Sequence, residues 1–151
     1  MPDPWSAAEL VALGERIDAW AQRQLAENPV VAHVERDEQR WFVRVRGDEK
    51  DVFTIWFSLG QRTLQYETYV MPAPEENEAH FYAHLLRRNR GFYGAAFQVG
   101  EEEAIFLAGQ LANESVDDDE LDRILGSLYA WTEQCFRPAL RIGFASRFSR
   151  Q

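Results

Sequence analysis

The chain has 151 residues, of which 46% are hydrophobic and 27% are charged, and its formal net charge is −9. This composition excludes a disordered chain, and the length suffices for a single domain, residues 1–151, whose core needs no disulfide or metal. The acidic balance argues against a protein that binds duplex nucleic acid through clustered lysine and arginine. A single cysteine, no basic leader and no long apolar run together predict a cytoplasmic protein that does not span a membrane.

The first predicted element is an amphipathic helix. Ser6 and Glu9 have the spacing of a capping box, in which each residue caps the backbone of the other. The apolar residues that follow recur every three or four positions, and they are Leu10, Leu13, Ile17 and Trp20. Asn28-Pro29 ends the helix, because a residue before proline is forced out of the helical conformation.

Four strands in two hairpins are predicted next. Residues 30–36 and 41–46 alternate around a polar turn, and residues 51–70 alternate twice around Gly60. In the second hairpin one side carries Phe53, Ile55, Phe57, Leu59, Leu64, Tyr66, Thr68 and Val70, and the other carries Val52, Thr54, Trp56, Ser58, Gln65, Glu67 and Tyr69. The short connections predict an antiparallel meander.

A second helix, a third hairpin and a last helix complete the chain. The second helix is predicted to open on Glu75 and Glu76, where the helix dipole favours acids, and to end at Gly91. Its predicted apolar stripe is Ala79, Tyr82, Ala83 and Leu86, widened by Phe81 and Leu85. Residues 95–99 and 104–111 form the third hairpin.

The last helix begins at a capping box of Asp117 and Glu120 and is predicted to end at Arg137-Pro138. The tail after it is apolar enough to dock on the domain. The element order α-β-β-β-β-α-β-β-α predicts an α+β fold, with an antiparallel sheet of about six strands and three helices. The order of the strands within the sheet stays open.

Two groups of residues in the sequence have side chains that bind metals or react as thiols. His80 and His84 are four residues apart, which allows two imidazoles to share a metal, but no third ligand is specified. A solvated stripe explains the pair, so neither a metal nor a cofactor is predicted. Cys135 occupies an apolar helix position, which indicates a buried and unreactive thiol.

Charged residues suggest two further interpretations. Arg44 and Arg46 can share the face of the sheet that carries Glu67, which leaves open either a cross-strand ion pair or a small-ligand sensor or small enzyme. The tail arginines, Arg137, Arg141, Arg147 and Arg150, are predicted to pair with the acidic segment at 117–120, the alternative being a contact surface for acidic partners.

Large rings on both faces of the predicted sheet favour a partner surface. Helices can cover one face, and the other then exposes apolar groups to a partner or a second copy. The predicted partner-contacting residues are Trp41, Val43, Trp56 and Tyr69 on the sheet and Leu10, Ile17 and Trp20 on the first helix. These residues favour a non-enzymatic binding protein.

The strings YETYVMPAP and FRPALRIGFASRF, within a likeness that spans residues 41–148, resemble the actinobacterial branch of the YbjN-domain family. The resemblance implies a fold similar to type III secretion chaperones, which are small acidic proteins that dimerise and bind an extended polypeptide. It brings no catalytic motif. We therefore expect a chaperone-like regulatory protein, a homodimer, with a polypeptide partner and without a nucleic-acid or membrane partner.

Overall fold

A computed structural model describes residues 2–148. Helix α1 spans Ala7–Glu27, and the strands are β1 (Val31–Asp37), β2 (Arg40–Arg46), β3 (Val52–Leu59), β4 (Thr63–Met71), β5 (Ala96–Val99) and β6 (Ile105–Ala112). Helix α2 spans Glu78–Asn89, α3 spans Asp118–Gly143 and the short α4 spans Ala145–Phe148. The predicted α+β class and element order are confirmed. No helix within the described range is long and apolar enough to cross a bilayer.

The six strands form one antiparallel sheet in the order β1-β2-β3-β4-β6-β5. The first four strands are a meander, and β6 of the last hairpin pairs with β4. This arrangement places the short β5 at one edge and β1 at the other. The two edges therefore come from distant parts of the chain.

The helices cover one face of the sheet. Trp20 of α1 meets Phe57 edge to face with ring centroids 5.5 Å apart, and Tyr129 of α3 stacks on Phe53 at 5.9 Å. The predicted capping box is present at the start of α1, where the Glu9 N–H donates to Ser6 Oγ at 3.2 Å. The inward residues of the strands alternate with outward ones, as the period of two predicts.

The start and the apolar stripe of α2 differ from the prediction. The helix begins at Glu78 rather than at Glu75, because Asn77 has a left-handed backbone (φ 54°) that cannot continue a right-handed helix. The N–H groups of Glu75 and Glu76 before it donate to the Gly143 carbonyl. Phe81 and Leu85 are its buried residues, whereas Leu86 is 65% exposed. Packing against α3 and β5, and not the helical period alone, selects the buried side.

The prediction that Arg137-Pro138 ends the last helix is wrong. Pro138 lies inside α3, which continues to Gly143. Proline removes one N–H from the helix ladder, and Gln134, four residues earlier, is exposed, so water can supply the missing donor. Burial of Ala139 and Gly143 holds the last turns against the domain.

The C-terminal segment docks on the loop before α2. The Arg147 guanidinium donates twice to the Glu75 carboxylate, at 2.8 and 2.6 Å, and the Ser146 hydroxyl donates to Glu76 at 2.7 Å. Arg137 pairs with Glu49. Arg137 and Arg147 thus pair with Glu49 and Glu75 rather than with residues 117–120 as predicted, and Arg150 lies outside the described residues.

Candidate functional site

The face of the sheet opposite the helices carries four aromatic rings that nothing in the described fold covers. Phe42 and Trp56 lie opposite each other on β2 and β3 and meet edge to face at 6.4 Å. Tyr69 and Phe106 form a second such pair on β4 and β6 at 5.7 Å. Tyr69 is 39% exposed, and the other three are half-buried by one another and by neighbouring side chains. We call this surface the open face.

Arginines border the aromatic rings along β2. The Arg40 guanidinium lies over the Phe42 ring at 5.5 Å, and Arg44 lies two residues beyond Phe42 on the same face. Both arginines are exposed, and none of the salt bridges found in residues 2–148 includes either one. On β1, His33 instead pairs with Glu35 at 3.1 Å.

Glu67 lies in a shallow depression between β3, β4 and β6. The depression has a volume of about 280 Å³ and is lined by Trp56, Ser58, Gln65, Tyr66, Glu67, Gln98, Ala108, Gly109 and Gln110. Ala108 opposite Glu67 leaves space that a larger side chain would fill. Polar amides dominate this lining, which suits hydrogen bonding more than apolar capture.

The structure does not assemble the alternative site of Glu67, Arg44 and Arg46. Arg44 lines a different depression of about 360 Å³, together with His33, Glu35, Phe42 and Thr54. Arg46 donates to the Pro29 carbonyl at 3.2 Å, at the end of β2. The pairing register explains the separation, since Glu67 faces Trp56 whereas Arg44 faces Thr54. Neither the cross-strand ion pair nor a shared concave pocket is found among the described residues.

The seven residues predicted to contact a partner divide into two groups. Trp41, Val43, Ile17 and Trp20 are at most 1% exposed, so in this fold they belong to the core and present no surface. Both tryptophans anchor helices through their indole N–H groups, Trp20 to Asp122 at 2.8 Å and Trp41 to Asp18 at 3.2 Å. Burial of these four side chains leaves them unavailable to a partner in this fold.

The other three predicted contact residues keep some exposure. Trp56 and Tyr69 lie on the open face, and Leu10 is half-buried on α1, away from it. Phe42 and Phe106 lie with Trp56 and Tyr69 but were absent from the prediction. The first could have been found from the sequence, because pairing the predicted strands places Phe42 opposite Trp56. The second depends on the pairing of β4 with β6, which the sequence left open.

The surroundings of the histidines and of the cysteine bear on metal binding and on thiol chemistry. No group of three potential metal ligands occurs in residues 2–148. Burial, followed by the charges of Arg88, His80 and Arg87, lowers the pKa of His84 below its usual value, which disfavours a charged imidazole. Cys135 is fully buried, and burial raises the pKa of its thiol, as expected for an unreactive thiol.

Lys50 links the loop after β2 to the border of the open face. Its ammonium donates to the Val70 carbonyl at 2.6 Å and lies 4.8 Å from the centre of the Tyr69 ring and 5.4 Å from that of Phe136. Burial lowers the pKa of Lys50 to about 8. The Lys50 ammonium therefore lies between the edge of the open face and helix α3.

Solved structures of chaperone complexes share this fold. The chain matches a chain in the structure of the HopA1–SchA chaperone–effector complex with a TM-score of 0.59 and 17% identity, covering 89% of this chain and 99% of that one. It matches a chain in the structure of the ExsC–ExsE complex with a TM-score of 0.59 and 16% identity, covering 83% and 94%. The expected likeness to type III secretion chaperones is thereby confirmed for the fold.

Relatives in sequence are mycobacterial. An uncharacterised protein of Mycobacterium tuberculosis is 36% identical over 109 residues, and one of Mycobacterium leprae is 30% identical over 112 residues. These matches cover 72% and 74% of this chain but only 60% and 61% of the relatives, so the chain spans about three fifths of their length. The model of the YbjN family, described as "Putative bacterial sensory transduction regulator", matches residues 14–140.

Proposed function

The chain belongs to the YbjN family, and on that premise we propose that it is a non-enzymatic, chaperone-like regulatory protein that holds a polypeptide partner on its open face. The observation that carries the proposal is the cluster of Phe42, Trp56, Tyr69 and Phe106, which the helices leave uncovered. The proposal places the protein in the cytoplasm and involves no cofactor, nucleic acid or membrane.

Elementary energetics support the use of this face. Large aromatic side chains supply much of the binding free energy of protein interfaces, because they remove a large area from water at a small cost in side-chain entropy. Their edge-to-face pairing holds each ring in place before a partner arrives. One of the two similar structures is a chaperone–effector complex and the other is the ExsC–ExsE complex, which is consistent with a polypeptide as the ligand.

The test is an affinity capture of partners from native cytosol, and it compares the wild type with one tryptophan variant and one leucine variant. Trp56→Ala removes the centre of the open face, and Leu25→Ala removes a side chain of α1 that is 40% exposed and lies elsewhere. We expect stoichiometric polypeptides to be captured by the wild type and by Leu25→Ala, and about tenfold less of them by Trp56→Ala. Circular dichroism would establish that both variants are folded. Equal capture by Trp56→Ala would contradict the proposal.

We also propose that the protein is a homodimer, joined through the groove between α2 and β5. The groove has a volume of about 250 Å³ and an almost wholly apolar lining, made by Tyr82, Leu85, Leu86, Asn89, Phe97, Gln98, Val99 and Ile105. Leu86 and Val99 are 65% and 50% exposed at its rim. Because β5 is an edge strand, its free backbone groups can pair with β5 of a second copy around a twofold axis.

A further inference from the structure

The arrangement of charge on the open face points to a particular kind of polypeptide. Along β2, Arg40, Phe42 and Arg44 occupy alternate positions and therefore share one face. Trp56 lies directly across from Phe42 and widens the apolar centre. We call these four residues the basic aromatic patch. Its two arginines provide positive charge on a chain whose net charge is −9, with Glu35 and Asp37 beside them on β1.

We propose that the basic aromatic patch binds an extended segment in which an aromatic residue is flanked, two positions away on each side, by Asp or Glu. Alternate residues of any extended chain are spaced equally, at about 6.6 Å, so such a segment can place its acids on Arg40 and Arg44 and its ring on Phe42 and Trp56. The pattern is the same in both directions, so either orientation of the segment is accommodated. This inference rests on the proposed function and specifies its partner.

The acidic residues near the patch determine whether the segment runs along β2 or across the strands. Glu35 lies opposite Phe42 on β1, and Glu67 lies opposite Trp56 on β4. A segment that ran across the strands would bring its acids towards these two carboxylates and would be repelled. Only a segment that follows β2 places acids on arginines. Asp37 lies opposite Arg40 on β1, and His33, which pairs with Glu35, lies opposite Arg44. An acid on Arg40 therefore has to approach from the side away from Asp37.

Single-stranded nucleic acid is the other ligand class that uses arginines beside exposed rings. Its phosphates would approach Glu35 and Glu67, which border the aromatic rings on both sides of the patch. The net charge of −9 adds repulsion at longer range. A peptide with only two acids meets less of this repulsion, and we therefore argue for a polypeptide.

The experiment measures binding of fluorescent synthetic peptides to the full chain at low ionic strength. The probe is Gly-Ser-Asp-Ser-Phe-Ser-Asp-Ser-Gly, and its two relatives carry Asn or Lys in place of both Asp residues. We expect the Asp peptide to bind about tenfold more tightly than the Asn peptide, because two exposed ion pairs together contribute that much binding free energy. Added salt should reduce this ratio, because it screens exposed charges. The Lys peptide should bind most weakly.

Charge reversal in the protein supplies the matched control. Arg40→Glu/Arg44→Glu should invert the preference, so that the Lys peptide binds more tightly than the Asp peptide. Arg87→Glu/Arg141→Glu makes the same change in net charge at two exposed arginines on the helices, and it should leave the preference for Asp unchanged. All four substituted residues are exposed, so both variants are expected to fold.

The outcomes separate this inference from the proposed function. Equal binding of the Asp and Asn peptides would overturn the inference. The proposed function would stand in that case if Trp56→Ala abolished binding of both peptides, because the aromatic rings would then be the binding surface. Tighter binding of the Lys peptide by the wild type would also overturn the inference, because the charged residues of the segment would then contact Glu35 and Glu67 rather than the arginines of β2. Tighter binding of oligothymidylate would assign the patch to nucleic acid and overturn both. Absence of peptide binding up to about 1 mM would overturn the inference alone, because the capture experiment tests the function independently.

Discussion

Individual residues differ in how much space the fold leaves around them, and two glycines show the contrast. A Cβ built on Gly109 of β6 would collide with the Gly94 carbonyl and with the ring of Tyr66. The Tyr66 hydroxyl donates to that same carbonyl at 2.5 Å, which holds the chain before β5 against the sheet. A Cβ on Gly126 of α3 would meet nothing within 4 Å.

Gly109→Ala should therefore lower the free energy of unfolding by about 1–3 kcal/mol, the usual cost of an extra group in a packed site. Gly126→Ala should raise it by about 0.5–1 kcal/mol, because alanine favours the helix and no neighbour needs to move. Urea denaturation of both variants gives the two values. A Gly109→Ala variant as stable as the wild type would show that the contact with Gly94 is not needed.

Lys50 is the only lysine of the chain, and its pKa of about 8 makes stability depend on pH. Between about pH 8 and the ordinary value of 10.5, the unfolded chain retains a proton that the folded chain has released. The free energy of unfolding should then rise with pH in this window, by less than the limiting value of about 1.4 kcal/mol per pH unit because the ammonium is only partly buried. Below the window both states are protonated and the contribution is constant.

Lys50→Met should remove this rise. Urea denaturation of the wild type and the variant at about pH 7.5, 8.5 and 9.5 gives the difference in slope. The titration of the tyrosines away from Lys50 is common to both proteins and cancels, and Tyr69→Phe in both backgrounds removes that of Tyr69, which Lys50 contacts. Parallel slopes for the two proteins would mean that the Lys50 ammonium keeps its charge in the fold.

Secondary-structure elements show which parts of the fold the sequence determines locally. Alternation in β3 and β4 predicted correctly that Phe57 and Trp56 lie on opposite faces, because the strand period is two whatever packs on it. It could not tell which face the helices cover, and for this reason Trp41 was predicted at a surface that it does not reach. The start of α2 and the continuation of α3 past Pro138 depend on the docked C-terminal segment, which no local pattern reveals.

The loop between β2 and β3 is tied to α3 by one side chain. The Glu133 carboxylate accepts the backbone N–H groups of Asp48, of Glu49 at 3.0 Å and of Lys50 at 2.9 Å. Successive backbone N–H groups that point to one place form a concave binding site for an anion, and the Glu133 carboxylate occupies that site here. The loop thereby becomes part of the helix layer although it belongs to the sheet.

Glu133→Ala should lower the free energy of unfolding by about 1–2 kcal/mol, a value reduced by the partial exposure of the site. It should also speed hydrogen exchange at the amides of residues 48–50, which lose their acceptor. Gln134→Ala, at the neighbouring exposed position, is the control and should change neither quantity. Unchanged exchange in Glu133→Ala would show that the loop is held by other contacts.

At the scale of the whole molecule, the surfaces of the sheet have separate chemistry. The helix layer closes one face, the open face combines aromatic rings with arginines, and the two edges differ in charge. The β1 edge carries His33, Glu35 and Asp37, which oppose pairing with another strand, whereas β5 consists of Ala96, Phe97, Gln98 and Val99. Partner binding and self-association can thus use different surfaces at the same time.

The β5 edge should be the site of dimerisation. In sedimentation equilibrium at about 100 µM protein, we expect the wild type to have twice the chain mass of 17.5 kDa. Val99→Lys puts a charge into the apolar groove and on the edge strand, and it should shift the protein to the monomer mass. Val11→Lys changes a residue of α1 with similar exposure, 58% against 50%, and should remain dimeric. A monomeric wild type would refute the homodimer. A dimeric Val99→Lys variant would show that the interface between the two copies lies elsewhere. Dissociation of the dimer by Trp56→Ala would then place that interface on the open face, and a dimeric Trp56→Ala variant would leave the open face free for a partner.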